Sequence, residues 1–336
     1  MRILVTGIAG YIGSHTARIL MDRGHEVFGF DNLSRGHAKV VQILGLGDRF
    51  FQGDLNEPAR LDHAFTVARP EAVLHFAAYA LVGESINRPD LYWKNNFCGS
   101  LGLLEAMRLA GVKRLVFSST CATYGIPDRL PMDETLPQSP INPYGQTKLA
   151  IEKAITDYAQ AFGIQAASLR YFNAAGASAT GDLGEDHFPE SHLIPLALRA
   201  AQGVANPLCV FGTDYPTPDG TCIRDYIHVD DLAEAHLAAL LYLDRQPVNS
   251  HDAFNLGTGR GHSVHDIITC CEKISGRSVP HTFGPRRPGD PPLLVADPSK
   301  ANKVLHWSAK HDLNSIVQSA WNWHKNHPNG YKTAKP

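Results

Sequence analysis

Three glycines at three-residue intervals, Gly7, Gly10 and Gly13, directly follow the apolar run Ile3-Leu-Val-Thr6, and an amphipathic stretch, Tyr11–Asp22, begins among them. That order dictates a strand, a tight turn and a helix. Gly7 lets the backbone turn sharply, Gly10 lets a ligand approach the main chain with no Cβ in the way, and Gly13 lets the helix pack close to its strand. Free N–H groups at the helix N-terminus then suit a pyrophosphate. Gly24 ends the helix, and Glu26–Asp31 reads as a second strand finishing in a carboxylate. A carboxylate there accepts hydrogen bonds from both ribose hydroxyls of an adenosine and repels a 2′-phosphate, so NAD is expected rather than NADP.

Apolar strands keep alternating with helical patterns through the first half. Strands are expected at 49–52, 72–76, 114–118 and 165–170, and helices at 59–68, 89–110 and 142–162. Strands apolar on both faces imply a doubly wound parallel α/β sheet, a Rossmann domain over residues 1–175. Ligands in such sheets bind beyond the carboxyl ends of the strands. Those ends carry Gly7, Asp31, Asp54, Phe76-Ala-Ala78, Ser118-Ser-Thr120 and Tyr171-Phe-Asn173. After residue 175 Gly and Pro rise and the alternation fails. Helices at Leu193–Gln202 and 265–275 suggest a smaller mixed α/β domain over 176–330, with a helix at 230–243 and a strand at 253–256 returning to the sheet near 225–257. A second glycine cluster, Asn255-Leu-Gly-Thr-Gly-Arg-Gly261, precedes no acidic-tipped strand and reads as a turn. The polar tail from Asn326 is expected to fray.

Composition excludes several partners. Thirty-one Lys and Arg against 33 Asp and Glu leave no basic field for nucleic acid, and no apolar run approaches the roughly 20 residues of a membrane span. A strand starting at residue 2 leaves no room for a signal peptide, and six cysteines without C-x-x-C spacing fit free thiols in a cytoplasmic protein. The 17 histidines show no paired metal-site spacing, so no metal is expected.

Tyr144 and Lys148 stand four apart, hence on one face of a helix. A fixed ammonium favours phenolate over phenol, so Tyr144 is a candidate base and Lys148 its partner. The helix follows the strand ending in Thr120, which offers a hydroxyl to share a substrate proton. Tyr331-Lys-Thr-Ala-Lys335 repeats the spacing in the tail, where only solvent is expected.

The order of glycine turn, Asp31, Ser/Thr strand end and Tyr-x-x-x-Lys resembles the extended short-chain dehydrogenase/reductases. Longer blocks are similar to the UDP-glucose 4-epimerase family: Thr6-Gly-Ile-Ala-Gly-Tyr-Ile-Gly-Ser14, His75-Phe-Ala-Ala78, Val82-Gly-Glu-Ser85, Ser118-Ser-Thr-Cys-Ala-Thr-Tyr-Gly125, Asn142-Pro-Tyr-Gly-Gln-Thr-Lys148, Arg170-Tyr-Phe-Asn173, Arg224-Asp-Tyr-Ile-His-Val229 and Arg287-Pro-Gly-Asp290. The resemblance spans residues 1 to about 325. It implies reversible epimerisation at sugar C4 through a 4-keto intermediate, with Tyr144, Lys148 and Thr120 catalytic and NAD retained. It further implies cofactor contacts from Gly7, Gly10, Tyr11, Ile12, Gly13, Asp31, Asn32, Asp54, Leu55, Phe76, Ala77, Ala78, Asn95, Ser118 and Tyr171. Substrate contacts are implied for Asn173, His192, Leu193, Cys209, Phe211, Arg224, Arg287, Asp290 and Leu294, and a homodimer paired through the helices at 89–110 and 142–162.

Cys121 and Ala122 stand where dehydratases and decarboxylases of this branch carry acids, which disfavours those reactions. Three positions depart from the family pattern: Ala80 replaces a lysine that reaches the cofactor phosphate, His192 an asparagine at the substrate diphosphate, and Leu294 a tyrosine narrowing the sugar pocket. The short Leu294 leaves UDP-N-acetylhexosamines open as alternative substrates, and the Ser118-to-Gly125 block, shared with UDP-xylose/UDP-arabinose epimerases, leaves those pentoses open. A non-catalytic NAD-sensing regulator is the alternative outside enzymes, and the intact Tyr144, Lys148 and Thr120 argue against it.

Overall fold

In the computed structural model, which describes residues 1–287 and 290–332, seven parallel strands form one sheet. They are β1 (Arg2–Thr6), β2 (Glu26–Asp31), β3 (Phe50–Gln52), β4 (Ala72–His75), β5 (Arg114–Thr120), β6 (Gln165–Tyr171) and, after the short β7 (Asn173–Ala175), β8 (Leu208–Phe211) and β9 (Ile223–His228), β10 (Ser250–Leu256). The order across the sheet is β3-β2-β1-β4-β5-β6-β10. Successive side chains of β1 point to opposite faces: Ile3 and Val5 pack with Ala17, Leu20, Leu232 and Leu240, while Leu4 joins Val73, Leu103, Phe117 and Ile151 on the other side. Helices cover both faces, which is why these strands read as unbroken apolar runs. The returning strand does reach the sheet, pairing along its length with β6 from Ser250 opposite Gln165 to Leu256 opposite Tyr171.

From β1 the chain builds outward through β2 and β3, then resumes on the other side of β1 at β4. The crevice above the carboxyl ends of β1 and β4 is therefore the switch point where α/β sheets bind ligands. The remaining strands make two small sheets. In one, β9 pairs with β7, with β11 (Gly261–Ser263) and, beyond β12 (His281–Gly284), with β13 (Leu293–Leu294); in the other, β12 pairs with β8.

Two expectations are corrected. The helix foreseen over 89–110 is interrupted: Pro89–Tyr92 runs into a π-helical turn, Trp93–Cys98, before Gly99–Ala110 continues. Such turns re-aim side chains. Here buried Asn96 accepts from Tyr79 N at 2.8 Å and donates to Tyr79 O at 2.9 Å, pinning the loop after β4. Nor does the described part of the tail, up to residue 332, run free into solvent. Helix Leu313–Asn326 buries Ile316, Val317, Trp321 and Trp323. Gly184 leaves room for the Trp323 ring, since a Cβ there would lie 2.3 Å from it. Tyr331 then folds back: its N–H donates to Asp186 Oδ2 at 2.9 Å, and its hydroxyl exchanges hydrogen bonds with the Gly184 backbone. Lys335, the other half of the repeated Tyr/Lys spacing, lies outside the described residues.

Candidate active site

The glycine turn has the strained geometry its composition foretold. Gly7 sits at φ +72° and donates to Phe30 O at 2.8 Å, tying β1 to β2. A Cβ on Gly7 would lie 2.6 Å from Ala77 N, and one on Gly13 would lie 2.2 Å from Gly7 O. Helix Tyr11–Asp22 starts at Gly10 with no side-chain cap, so its first N–H groups face the groove. Beside them the Asp31 carboxylate accepts from Ala9 N at 3.0 Å and Leu33 N at 2.8 Å. Burial raises its pKa and those two backbone donors oppose the rise.

One continuous groove is lined by sixteen of the seventeen residues expected at a cofactor: Gly7, Gly10, Tyr11, Ile12, Gly13, Asp31, Asn32, Leu55, Phe76, Ala77, Ala78, Asn95, Ser118, Tyr144, Lys148 and Tyr171. Asp54 is the exception. It borders a neighbouring depression, where its carboxylate accepts from Asn32 Nδ2 at 2.7 Å and Asn56 N at 2.9 Å. That depression shares Asn32 and Gly53 with the groove.

Helix Pro143–Phe162 carries the chemistry. Pro143 presets its first turn, and the Asn142 side chain accepts from Gly145 N at 2.8 Å. Tyr144 is thereby held near the side chain of Thr120 at the end of β5, whose Oγ1 accepts from Ala122 N at 3.2 Å; Thr120 itself is not among the residues lining the groove. One helical turn on, Lys148 Nζ donates to Ser118 O at 2.7 Å and lies 4.8 Å over the Phe117 ring. Burial lowers the Lys148 amine to about 7, opposed by the Glu152 carboxylate. Burial, then Tyr171, push Tyr144 well above its ordinary value, with the Thr120 hydrogen bond acting the other way. Burial is thus the largest influence on the phenol, and Lys148 is not among the groups that shift it. Cys121, raised by burial to about 12, is an inert thiol beside Thr120.

Of the residues expected at a substrate, Tyr144 and His192 line the cofactor groove. Others gather in a second cluster. Asp290 Oδ2 accepts from Arg287 Nε at 2.9 Å, Arg224 Nη2 lies 3.6 Å from Asp290 Oδ1, and the Arg287 guanidinium sits 5.1 Å over the Phe211 ring. Leu294 pairs with Arg224 across β13 and β9 and packs against the group containing Cys121, Tyr124 and Phe172. The cluster thus abuts the strand end that carries Thr120. Asn173 pairs with Tyr226, Leu193 opens helix Leu193–Gln202, and Cys209 pairs with Thr282 across β8 and β12. Pro288 and Gly289 of the Arg287-to-Asp290 block lie outside the described residues. The second glycine cluster stays away from the groove: Thr258 N and Gly259 N donate to the buried Asp225 carboxylate at 2.9 and 3.0 Å.

Sequence reasoning missed the groove's loop-borne wall, including Arg35, His37, Tyr79, Asp186, Phe188 and Tyr331. These positions follow no helical or strand period. Arg35 lies 5.0 Å over the Tyr79 ring and donates to Glu84 Oε1 at 2.6 Å, so a cation stands next to Ala80, where the family lysine is missing. Glu185, His187, Glu190 and His192 also converge, one donor atom from each lying within 4.8 Å of the others.

A dinucleotide-sized turn at a sheet switch point, roofed by a tyrosine, a lysine and a strand-end hydroxyl, defines a nucleotide-cofactor enzyme of the α/β class. The chain belongs to the NAD dependent epimerase/dehydratase family, whose model matches residues 3–257. It is 48% identical over 334 residues to the UDP-glucose 4-epimerase of Halalkalibacterium halodurans, spanning 99% of this chain and 98% of that one. Among solved structures it resembles UDP-glucose 4-epimerase from Brucella ovis in complex with NAD (49% identity, TM-score 0.90, 95% of this chain and 97% of that one). It also resembles the Bifidobacterium longum enzyme in complex with NAD+ and UDP (39% identity, TM-score 0.92, 98% and 99%).

Proposed function

We propose that this chain interconverts UDP-glucose and UDP-galactose at C4 with a tightly held NAD. The observation that carries the reading is that Tyr144 and Lys148 line the same groove as the Gly7–Gly13 turn, whose close backbone packing leaves no room for a Cβ at Gly7 or Gly13. The Gly7–Gly13 cradle, the bare helix N-terminus and the Asp31 carboxylate fit an adenine dinucleotide with free ribose hydroxyls. An NAD held there would supply a reversible hydride acceptor for sugar C4 and a positive charge near the phenol.

The chain's own groups do the rest. Tyr144 removes the 4-hydroxyl proton and returns it, with Thr120 sharing the hydrogen bond. Lys148, anchored on Ser118 O, holds the phenol's surroundings and reaches the cofactor ribose. Arg224 and Arg287 pair with the substrate diphosphate in bidentate fashion, and the nearby Asp290 accepts from a ribose hydroxyl. Asn173, His192 and Leu193 complete the diphosphate contacts, and Cys209 and Phe211 those to uracil. Arg35 takes the phosphate-facing role that Ala80 lacks. No acid stands beside Thr120, so the keto sugar is reduced again instead of losing water.

A wider sugar range reaching UDP-N-acetylhexosamines is favoured by Leu294, whose short side chain packs back against Cys121 and Phe172, and one reaching UDP-pentoses by the Ser118-to-Gly125 block. In this reading the seven-stranded sheet serves the cofactor and residues 176–330 mainly serve the UDP-sugar. A homodimer is supported by the exposed apolar side chains Trp93, Leu109 and Phe162 on the helices foreseen to pair. A cytoplasmic setting is supported by six unpaired cysteines; among the described residues no helix is long and apolar enough to cross a membrane.

The test is to offer purified protein each UDP-sugar and follow interconversion alongside its NAD content. Tyr144→Phe should retain NAD and lose about 10²–10⁴ in kcat. Full activity in that variant sinks the mechanism, and no interconversion of any sugar by the wild type sinks the function.

A further inference from the structure

The loop between β7 and helix Leu193–Gln202 holds two imidazoles and three carboxylates within eight consecutive residues, Glu185-Asp-His-Phe-Pro-Glu-Ser-His192, and all but Asp186 converge. His187 Nδ1 lies 3.3 Å from Glu185 Oε1 and 3.8 Å from Glu190 Oε1, and His192 Nδ1 lies 3.9 Å from Glu190 Oε1. Glu185 Oε1 also contacts His192 Nδ1. The two rings stand 5.1 Å apart at 76°, so their edges converge. Four donors around a metal with bonds of about 2.0–2.1 Å lie about 3.3 Å from one another, the scale of these separations.

Two further features match a built site. His187 Nδ1 is shut off from solvent, although its side chain is 30% exposed, and its approach to Glu185 Oε1 at 3.3 Å lacks hydrogen-bond geometry. Glu190 is held ready: Ser191 N and His192 N both donate to its Oε1, at 2.8 and 2.9 Å, a backbone shell that fixes the carboxylate. Glu185 and Glu190 are themselves buried, with side chains 3% and 7% exposed.

We infer that Glu185, His187, Glu190 and His192 bind one divalent transition-metal ion of the zinc class. Two imidazoles select late first-row metals over Mg²⁺ and Ca²⁺, which take oxygen ligands, and two carboxylates balance the ion's charge. Four protein donors make a closed site, the structural kind. The ion cross-links a loop that otherwise has no regular structure. His187 packs edge-on against Tyr11, the first residue of the helix that cradles the cofactor, at 6.1 Å. The cross-link therefore stiffens one wall of the groove without entering the chemistry at Tyr144.

The experiment starts with purified full-length protein dialysed against metal-free buffer and its zinc measured per chain. Chelator-stripped protein is then titrated with Zn²⁺ against a chromophoric competitor. One zinc per chain is expected, with affinity lowered at least about 100-fold in His187→Ala/His192→Ala. Failure of the wild type to take up zinc, or equal affinity in the double variant, overturns the site. X-ray absorption at the zinc edge of the wild type needs no variant to fold. Two imidazoles and two oxygens are the expected shell; any sulfur ligand, or fewer than two imidazoles, overturns the assignment.

Discussion

Gly13 offers the sharpest test of how the groove is built. In Gly13→Ala the new Cβ would lie 2.2 Å from Gly7 O, 3.0 Å from Gly7 C and 3.2 Å from Ile8 Cα, all backbone atoms that no rotamer change can move. Ordinary contact begins near 3.4 Å, so the first turn of helix Tyr11–Asp22 must withdraw by about 1 Å. Elsewhere in a helix the same change stabilises by about 1 kcal/mol. Here the overpacking reverses the sign and costs about 1–3 kcal/mol of folding stability. The same withdrawal weakens charge-assisted hydrogen bonds from the helix N–H groups to a dinucleotide pyrophosphate. One such bond contributes about 1.5–3 kcal/mol, so NAD affinity should fall about 10- to 150-fold. Calorimetric titration of NAD into nucleotide-stripped protein measures this, and urea unfolding measures the stability. Gly83→Ala is the control: nothing lies within 4 Å of its Cβ, and it should leave NAD binding unchanged. A Gly13→Ala protein that binds NAD within about twofold of wild type would refute the cradle argument.

Other outcomes follow from the buried charges. The Lys148 amine titrates near 7 in the fold and near 10.5 when unfolded, so between those values the unfolded chain binds the extra proton. Unfolding measured on nucleotide-free protein should therefore show wild type gaining about 1.4 kcal/mol per pH unit on Lys148→Met as pH rises from 7 toward 10, and a flat difference would contradict the burial. Glu152 accepts from Arg170 and from Ser119, all three buried. Glu152→Gln strands the guanidinium and should cost about 3–5 kcal/mol in urea unfolding, whereas Glu152→Met/Arg170→Met should cost far less. Asp31→Ser removes the charge that repels a 2′-phosphate, and the ratio of NAD to NADP affinity should fall about 10-fold or more; an unchanged ratio would detach Asp31 from cofactor choice.

What could be read from the sequence was what repeats or what geometry forces. Strands buried on both faces show as apolar runs, and Gly7, Gly10 and Gly13 show because each stands where backbone atoms leave no room for a side chain. Tyr144 and Lys148 were visible as a helical pair, and their neighbourhood follows from the strand that ends at Thr120. Their electrostatics were not visible, because burial is a property of the packed pocket and opposes the local pairing. The loop-borne wall was invisible for another reason. Arg35, Tyr79, Asp186 and Tyr331 come from four separate segments and meet only when the chain is folded. The Glu/His group within residues 185–192 is contiguous, yet its spacing matches no familiar ligand pattern, and only the loop's turn brings its donors together. The π-helical turn at Trp93–Cys98 leaves the amphipathic period almost intact, so a continuous helix was the natural reading.

The pairing of β10 with β6 has a consequence for how the molecule comes into being. Residues 172–249 intervene between the two strands. While those residues are being synthesised, β6 is an open parallel edge whose N–H and C=O groups have no mate on that side. Its sequence, Gln-Ala-Ala-Ser-Leu-Arg-Tyr, holds one charge, Arg170, directed at Glu152 in the interior. On the ribosome, then, the sheet waits at its most association-prone stage until the last strand arrives. Closing that edge is a pairing across residues 172–249, a long-range contact of the kind that forms slowly.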